Sequence, residues 1–276
     1  MEKEFVSLEN ASPVTPLTAF KIGCGAFFNN FPAVLKMCDP ILYCALGMLL
    51  LLCGCLCLKG GTSVHIFIGI ILAAASLFAI IAGAWRFLLA RVAASYLAKD
   101  IFENQEIKNA KEYYGYVEKH TVSYIKYWLW LFVVSVALCV LLVAISVIFV
   151  KIFFPLPLII ALFIVLPFNC GAEMSIYYWA YGDKSKPLDC LTEGIKSGFK
   201  HFWSIFVLFL VSGFFFMILT IIIGFICIVF MNIIFSGNKE LHDTIMSAVQ
   251  LILFMFYYYL LSFIATRYYF SLIKKR

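Results

Sequence analysis

The sequence predicts an all-α integral membrane protein with six transmembrane helices arranged as three hairpins and amphipathic interfacial helices on the cytoplasmic side. Composition, the spacing of apolar runs and the placement of basic residues predict it. Of 276 residues, 64% are hydrophobic and 13% charged, and the mean hydropathy is +1.00. A soluble domain carries about 25% charged residues. A chain of this length has too little interior to hide so much apolar surface from water. Lipid is the solvent that accommodates it.

A helix needs about 20 mostly apolar residues to cross a hydrocarbon core about 30 Å thick. Six segments qualify, approximately 40–58, 64–86, 127–150, 155–179, 203–234 and 245–267. Residues 1–16 read as a disordered cytoplasmic tail, 17–272 as one six-helix domain and 273–276 as a basic tail. The start, Met1 to Glu9, is acidic and polar, unlike the basic start and short apolar core of a signal peptide. Turn-rich runs separate the paired spans: Lys59-Gly60-Gly61-Thr62-Ser63, the stretch from Lys151 to Pro155 and Pro157, and Ser236-Gly237-Asn238-Lys239-Glu240.

Lys and Arg divide eighteen to three across these spans, with only Lys59, Lys151 and Lys239 on the minor side. Basic loops are retained in the cytoplasm, so both termini are expected there, in the cell (inner) membrane. Tyr124, Tyr127, Trp128 and Trp130 open the third span. Tyr177, Tyr178, Trp179 and Tyr181 close the fourth, and Tyr268 and Tyr269 the sixth. Amphipathic rings favour the headgroup layer, so these residues are expected as anchors.

A basic, aromatic segment precedes each hairpin. Phe20-Lys21-Ile22-Gly23-Cys24-Gly25-Ala26-Phe27-Phe28 aligns with Ile195-Lys196-Ser197-Gly198-Phe199-Lys200-His201-Phe202-Trp203, matching Lys21 to Lys196 and Gly23 to Gly198. The middle copy, Lys119-His120 through Lys126-Tyr127-Trp128, keeps the basic-aromatic character without the glycine. The hairpin exits Ala84-Trp85-Arg86-Phe87 and Ala265-Thr266-Arg267-Tyr268 also correspond. The segments are expected to lie flat on the inner leaflet, with Lys21, Lys196 and Lys200 at headgroups and Phe27, Phe28, Phe202 and Trp203 turned toward acyl chains. The run Gly194 to Trp203, followed by a glycine-interrupted apolar stretch, resembles the repeated element of a bacterial six-span group. That group includes the membrane domain of some glycerophosphodiester phosphodiesterases and related envelope proteins. The resemblance implies a cytoplasmic-membrane helical bundle and brings no catalytic residues to place here.

Polar residues inside the apolar stretches are the candidate site. Arg86, Glu173 and Arg267 fall at a common depth near the ends of outgoing spans, and Glu173 is expected to bridge the two arginines. The competing expectation is that both arginines snorkel to headgroups. Pro167-x-Asn169-x-Gly171-x-Glu173 interrupts the fourth span, where proline frees a backbone acceptor that Asn169 or a substrate can meet. A broken helix bearing a carboxylate suits a transport site; it also suits a plain kink.

The motifs for nucleotide binding, GxxxxGK[ST] and GxGxxG, are absent, as are GxSxG and HExxH. The ten cysteines fall mostly in apolar runs without zinc spacing, and consecutive members of Cys53, Cys55 and Cys57 face opposite sides of a helix. The expectation is therefore no catalytic residue, no metal, no cofactor and no enzyme. The net charge of +6 sits in the cytoplasmic loops and reports topology, not nucleic-acid binding. Membrane lipids, anionic headgroups among them, are the expected partners; the residues name no protein partner and no oligomeric state. The expected role is a non-enzymatic module in membrane organisation or lipid and envelope homeostasis. The alternative is a small transporter or channel with a polar site near Asn169 and Glu173.

Overall fold

A computed structural model describes residues 14–60, 62–149, 155–182, 184–234 and 239–273. The expected tails, over residues 1–13 and 274–276, and the turns at Gly61, Lys151 and 236–238 lie outside the described residues. Among the described residues ten helices follow in chain order: α1 (Pro16–Asn29), α2 (Phe31–Leu35), α3 (Asp39–Lys59), α4 (Ser63–Phe102), α5 (Ala110–Glu118), α6 (Thr121–Phe149), α7 (Pro155–Tyr181), α8 (Pro187–Lys200), α9 (Phe202–Ile234) and α10 (Lys239–Ile273). No strand occurs among the described residues. Three helices there are long and apolar enough to cross a membrane: Ser63–Phe102, Thr121–Val147 and Phe202–Val229.

Local chemistry sets the helix ends. Thr15 caps α1, its hydroxyl accepting from the Thr18 N–H at 3.2 Å, with Pro16 in the first position. Thr62 caps α4 in the same way through the His65 N–H. At the far end of α4, Asn104 has φ of 52°, a left-handed conformation that asparagine tolerates better than most residues. The Asn104 N–H then bonds the Ile101 carbonyl and the Gln105 N–H the Asp100 carbonyl, which closes the helix.

The chain divides into two zones because α4 outruns the second expected span. Its 40 residues reach about 60 Å, twice the hydrocarbon thickness. Most of Val64 to Leu88 is exposed or half-exposed, whereas nearly every residue from Leu89 to Phe102 is buried. No glycine or proline interrupts the helix after Arg86, so it continues through Arg91 and Lys99. The buried core joins this end of α4 to the matching ends of α7 (Cys170–Ala180) and α10 (Tyr259–Leu272), with α1, α5 and α8 around them.

Most of the aromatic residues expected as anchors belong to this core. Tyr124, Tyr127, Tyr177, Trp179, Tyr268 and Tyr269 are all buried, while Trp128 and Trp130 are exposed. Their hydroxyls tie helices together by donating to main-chain carbonyls. Tyr124 donates to Leu88 at 2.7 Å, and Tyr181 to Ser95 at 2.6 Å. Tyr96 returns the link to Ala180 at 2.6 Å, and Tyr114 and Tyr259 both donate to Met37 at 2.8 Å. A tyrosine can be buried at low cost when its hydroxyl finds such a partner.

The short helices α1, α5 and α8 each lie on the end of a different long helix. Glycines allow the closest approaches. A side chain at Gly23 of α1 would meet the Ile264 backbone of α10 at 2.6 Å. On α8, Gly194 faces the Ser175 backbone and Gly198 the Gly171 backbone of α7. Two small-xxx-small faces, Gly171/Ser175 and Gly194/Gly198, thus run antiparallel in contact. α5 is fixed to α4 by Asp100, which accepts from the Tyr113 hydroxyl at 3.0 Å and pairs with Lys108 at 3.5 Å. The first short helix therefore rests on the last long helix, and the arrangement closes on itself.

The helix bounds offer a second register between the two glycine-bearing segments. α1 and α8 each have 14 residues, begin Pro-Leu, carry glycine at the eighth position (Gly23, Gly194) and phenylalanine at the thirteenth (Phe28, Phe199). Each is followed, after one capping residue, by a phenylalanine that opens the next helix, Phe31 and Phe202. In this register Gly23 falls beside Gly194, one turn from the alignment with Gly198. Glycines four apart share a helix face, so spacing in sequence does not distinguish them.

Candidate functional site

Glu173 stands on α7 and Arg91 on α4, and their side chains form an ion pair. The Arg91 guanidinium also lies 5.8 Å from the Tyr177 ring centre and 5.4 Å from that of Tyr258. Tyr177 is one turn beyond Glu173 on the same face of α7, and Tyr258 is on α10. Ser262 of α10 donates to the Arg91 carbonyl at 3.2 Å. One arginine therefore joins α4, α7 and α10. A desolvated guanidinium gains from aromatic faces as well as from the carboxylate. The pair is unevenly shielded, since the Arg91 side chain is 11% exposed and that of Glu173 39%.

The four candidate polar residues do not gather in one cluster. Arg86 lies over the rings of Tyr43 and Tyr114, at 5.2 and 5.8 Å, toward α3 and α5. Arg267 is 9% exposed on α10, and its Nη1 has no hydrogen-bond partner among the described residues. Asn169 is exposed. The expected bridge from Glu173 to Arg86 and Arg267 is replaced by the bond to Arg91. Arg86 and Arg91 are five residues apart, which on a helix is about 140° of rotation and about 7.5 Å of rise. Similar depth did not mean a shared face. The signal for Arg91 was the unbroken apolar run Leu88-Leu89-Ala90 and Val92-Ala93-Ala94 around it, which marks a continuing buried helix.

Pro167 stays inside α7, and its carbonyl faces Gly198. The interruption thus gives α8 a close seat. The interfacial candidates separate by exposure. Lys21, Phe28, Lys196, Lys200 and Trp203 are exposed, and Phe202 is half-buried. Phe27 instead is 3% exposed and meets Phe263 edge-on at 5.6 Å, so it fills the core and does not turn toward acyl chains. An aromatic pair one residue apart on a helix cannot put both rings on the same face.

No family model, curated protein or solved structure matches the chain. What the site can do follows from its own chemistry. A carboxylate already answered by a buried guanidinium is poorly suited to accept a proton or a cation, and well suited to lock three helices at one level.

Proposed function

We propose that the protein is a non-enzymatic membrane-organising module of a cell membrane, with six spans in three hairpins. Both termini and the compact zone face the cytoplasm, and the short helices α1, α5 and α8 anchor the hairpins at the inner leaflet. The observation that carries this reading is the contrast between zones. The stretches of α4, α6 and α9 away from the core present apolar side chains such as Phe78, Phe132, Val143 and Phe225 to their surroundings, while Arg91 and Glu173 form a charge pair between two long helices beside the core. The resemblance of Gly194 to Trp203 to the six-span envelope group agrees with it.

A transporter or channel is the second reading, favoured by the exposure of Asn169 and the partial exposure of Glu173. Reconstitution into proteoliposomes separates the two. The native chain is expected to give no proton or monovalent-ion flux above protein-free vesicles, Glu173→Gln to behave alike, and anionic lipid to be enriched around the protein. Flux that disappears in Glu173→Gln would reverse the choice.

Topology has its own test. With the ten native cysteines replaced, single cysteines at Thr62 and Gln105 are expected to react with an impermeant maleimide from opposite faces of oriented vesicles. Labelling of both from one face contradicts the six-span reading.

A further inference from the structure

Two cavities open in the compact zone, away from the Arg91–Glu173 pair. The larger, of about 720 Å³, lies between the α1–α2 junction and the segment entering α5. The smaller, of about 580 Å³, lies between the α5–α6 junction and the segment entering α8. Each lies between the end of one short helix and the segment entering the next. One wall of the first is Asn29, Asn30, Ala33 and Lys36; one wall of the second is Lys119, His120, Ser123 and Lys126. Both sets begin at the end of a short helix and follow the same spacing, i, i+1, i+4, i+7, along the next. The opposite wall in each case carries a lysine shortly ahead of the next short helix, Lys108 before α5 and Lys184 before α8.

We infer that these cavities are binding sites of one design for a phosphate monoester or free phosphate, with one lysine from each wall (Lys36 with Lys108, Lys126 with Lys184) gripping its oxygens. Ammonium groups from two sides, with amide, hydroxyl or imidazole groups between them, form a donor-rich cup suited to a tetrahedral oxyanion. The first turns of α5 and α8 border the cavities, and neither capping residue, Asn109 or Lys186, makes a side-chain bond to them. Their N–H groups add to the same potential.

The smaller cavity is the stronger site. In the larger one Lys108 is already 3.5 Å from Asp100, so part of its charge is answered. In the smaller one no carboxylate lines the wall among the described residues; the neighbouring acids are Glu118 at the end of α5 and Asp189 in the first turn of α8, while Asp183 lies outside those residues. Lys184 is held in place: its carbonyl accepts from the Ser123 hydroxyl, which accepts from the Trp179 indole at 3.1 Å. Its ammonium rests over the rings of Tyr96 and Trp179, at 5.7 and 6.0 Å. Burial lowers its proton affinity below the usual lysine value, with Cys190 opposing and Lys99 adding to the effect, and a bound anion offsets the shift. The volume is in the range of small-ligand sites.

The source of the phosphate, a lipid headgroup or a soluble ion, is decided by experiment; only the lipid source rests on the membrane-organising reading. The full chain in detergent is titrated with short-chain phosphatidic acid, short-chain phosphatidylcholine and inorganic phosphate, following the melting temperature and, by native mass spectrometry, bound lipid. Phosphatidic acid is expected to raise the melting temperature saturably and phosphatidylcholine is not. Lys126→Gln and Lys184→Gln, each compared with its own melting temperature without ligand, are expected to weaken the apparent affinity about fivefold, the loss of one basic contact to an anionic headgroup. Lys36→Gln is expected to have a smaller effect, and Lys59→Gln none. A response to inorganic phosphate but not to the lipid keeps the pocket and removes its membrane role. Equal responses to phosphatidic acid and phosphatidylcholine, no response to any probe, or unchanged affinity in both Lys126→Gln and Lys184→Gln overturns the inference, independently of the flux result.

Discussion

Glu173→Ala is expected to destabilise the protein by about 3 kcal/mol, whereas Arg91→Met costs about 1 kcal/mol. The two changes delete the same ion pair, but they leave different groups behind. Without Glu173, a guanidinium whose side chain is 11% exposed stays in the core without its counter-charge. Without Arg91, the remaining carboxylate is 39% exposed and water reaches it. Removing one partner of a buried pair costs about 3–5 kcal/mol through the uncompensated charge, and far less when that charge is hydrated. Methionine also fills the space between the Tyr177 and Tyr258 rings, replacing part of the cation–π contact. Glu173→Gln is expected to fall between them, because its amide oxygen still accepts from Arg91. Denaturant titration in mild detergent measures the series. Equal losses for Glu173→Ala and Arg91→Met would show that shielding does not govern this pair.

Gly194→Ala and Gly198→Ala are each expected to cost about 2–3 kcal/mol and to loosen α8 from α7, because overpacking a close contact forces backbone apart. At both positions an added methyl group falls against main-chain atoms of α7, around Ser175 and Gly171. A flexible side chain could move aside; backbone inside a helix cannot. Gly25→Ala is the matched comparison. Nothing lies within 4 Å of its added methyl group, and alanine in a helix interior is favoured over glycine by about 1 kcal/mol. The same chemical change is therefore expected to destabilise at Gly194 and Gly198 and to stabilise at Gly25. Protease accessibility of the 182–187 segment, read beside the melting temperature, reports whether α8 has detached. A Gly198→Ala protein as stable and protected as the native chain would refute the close seat.

The polar residues show how far sequence reasoning reached. Glu173 was legible as a costly charge in an apolar stretch that needed a partner. Its partner was not, since three arginines fell close enough in depth and only the rotation of α4 selects one. Arg91 was hidden by a span length: ending the second span at Arg86 assigned everything after it to a loop. The aromatic residues went astray for a related reason. Tyrosine suits both a headgroup layer and a core with carbonyl acceptors, and composition does not distinguish a membrane surface from a packed zone beside it.

Composition and periodicity by themselves determined that the chain is helical, with apolar runs long enough to cross a membrane, because burial of apolar surface and main-chain hydrogen bonding in lipid admit few alternatives. They also located basic, glycine-bearing short segments before the long helices. The tertiary structure decided which helix faces meet. It paired Glu173 with Arg91, seated α8 on α7 through Gly194 and Gly198, drew Phe27 and the tyrosines into a core, and set two basic cavities at matching places. Depth along a helix can be counted from sequence, one residue at a time; rotation about its axis is fixed only by the neighbours it packs against.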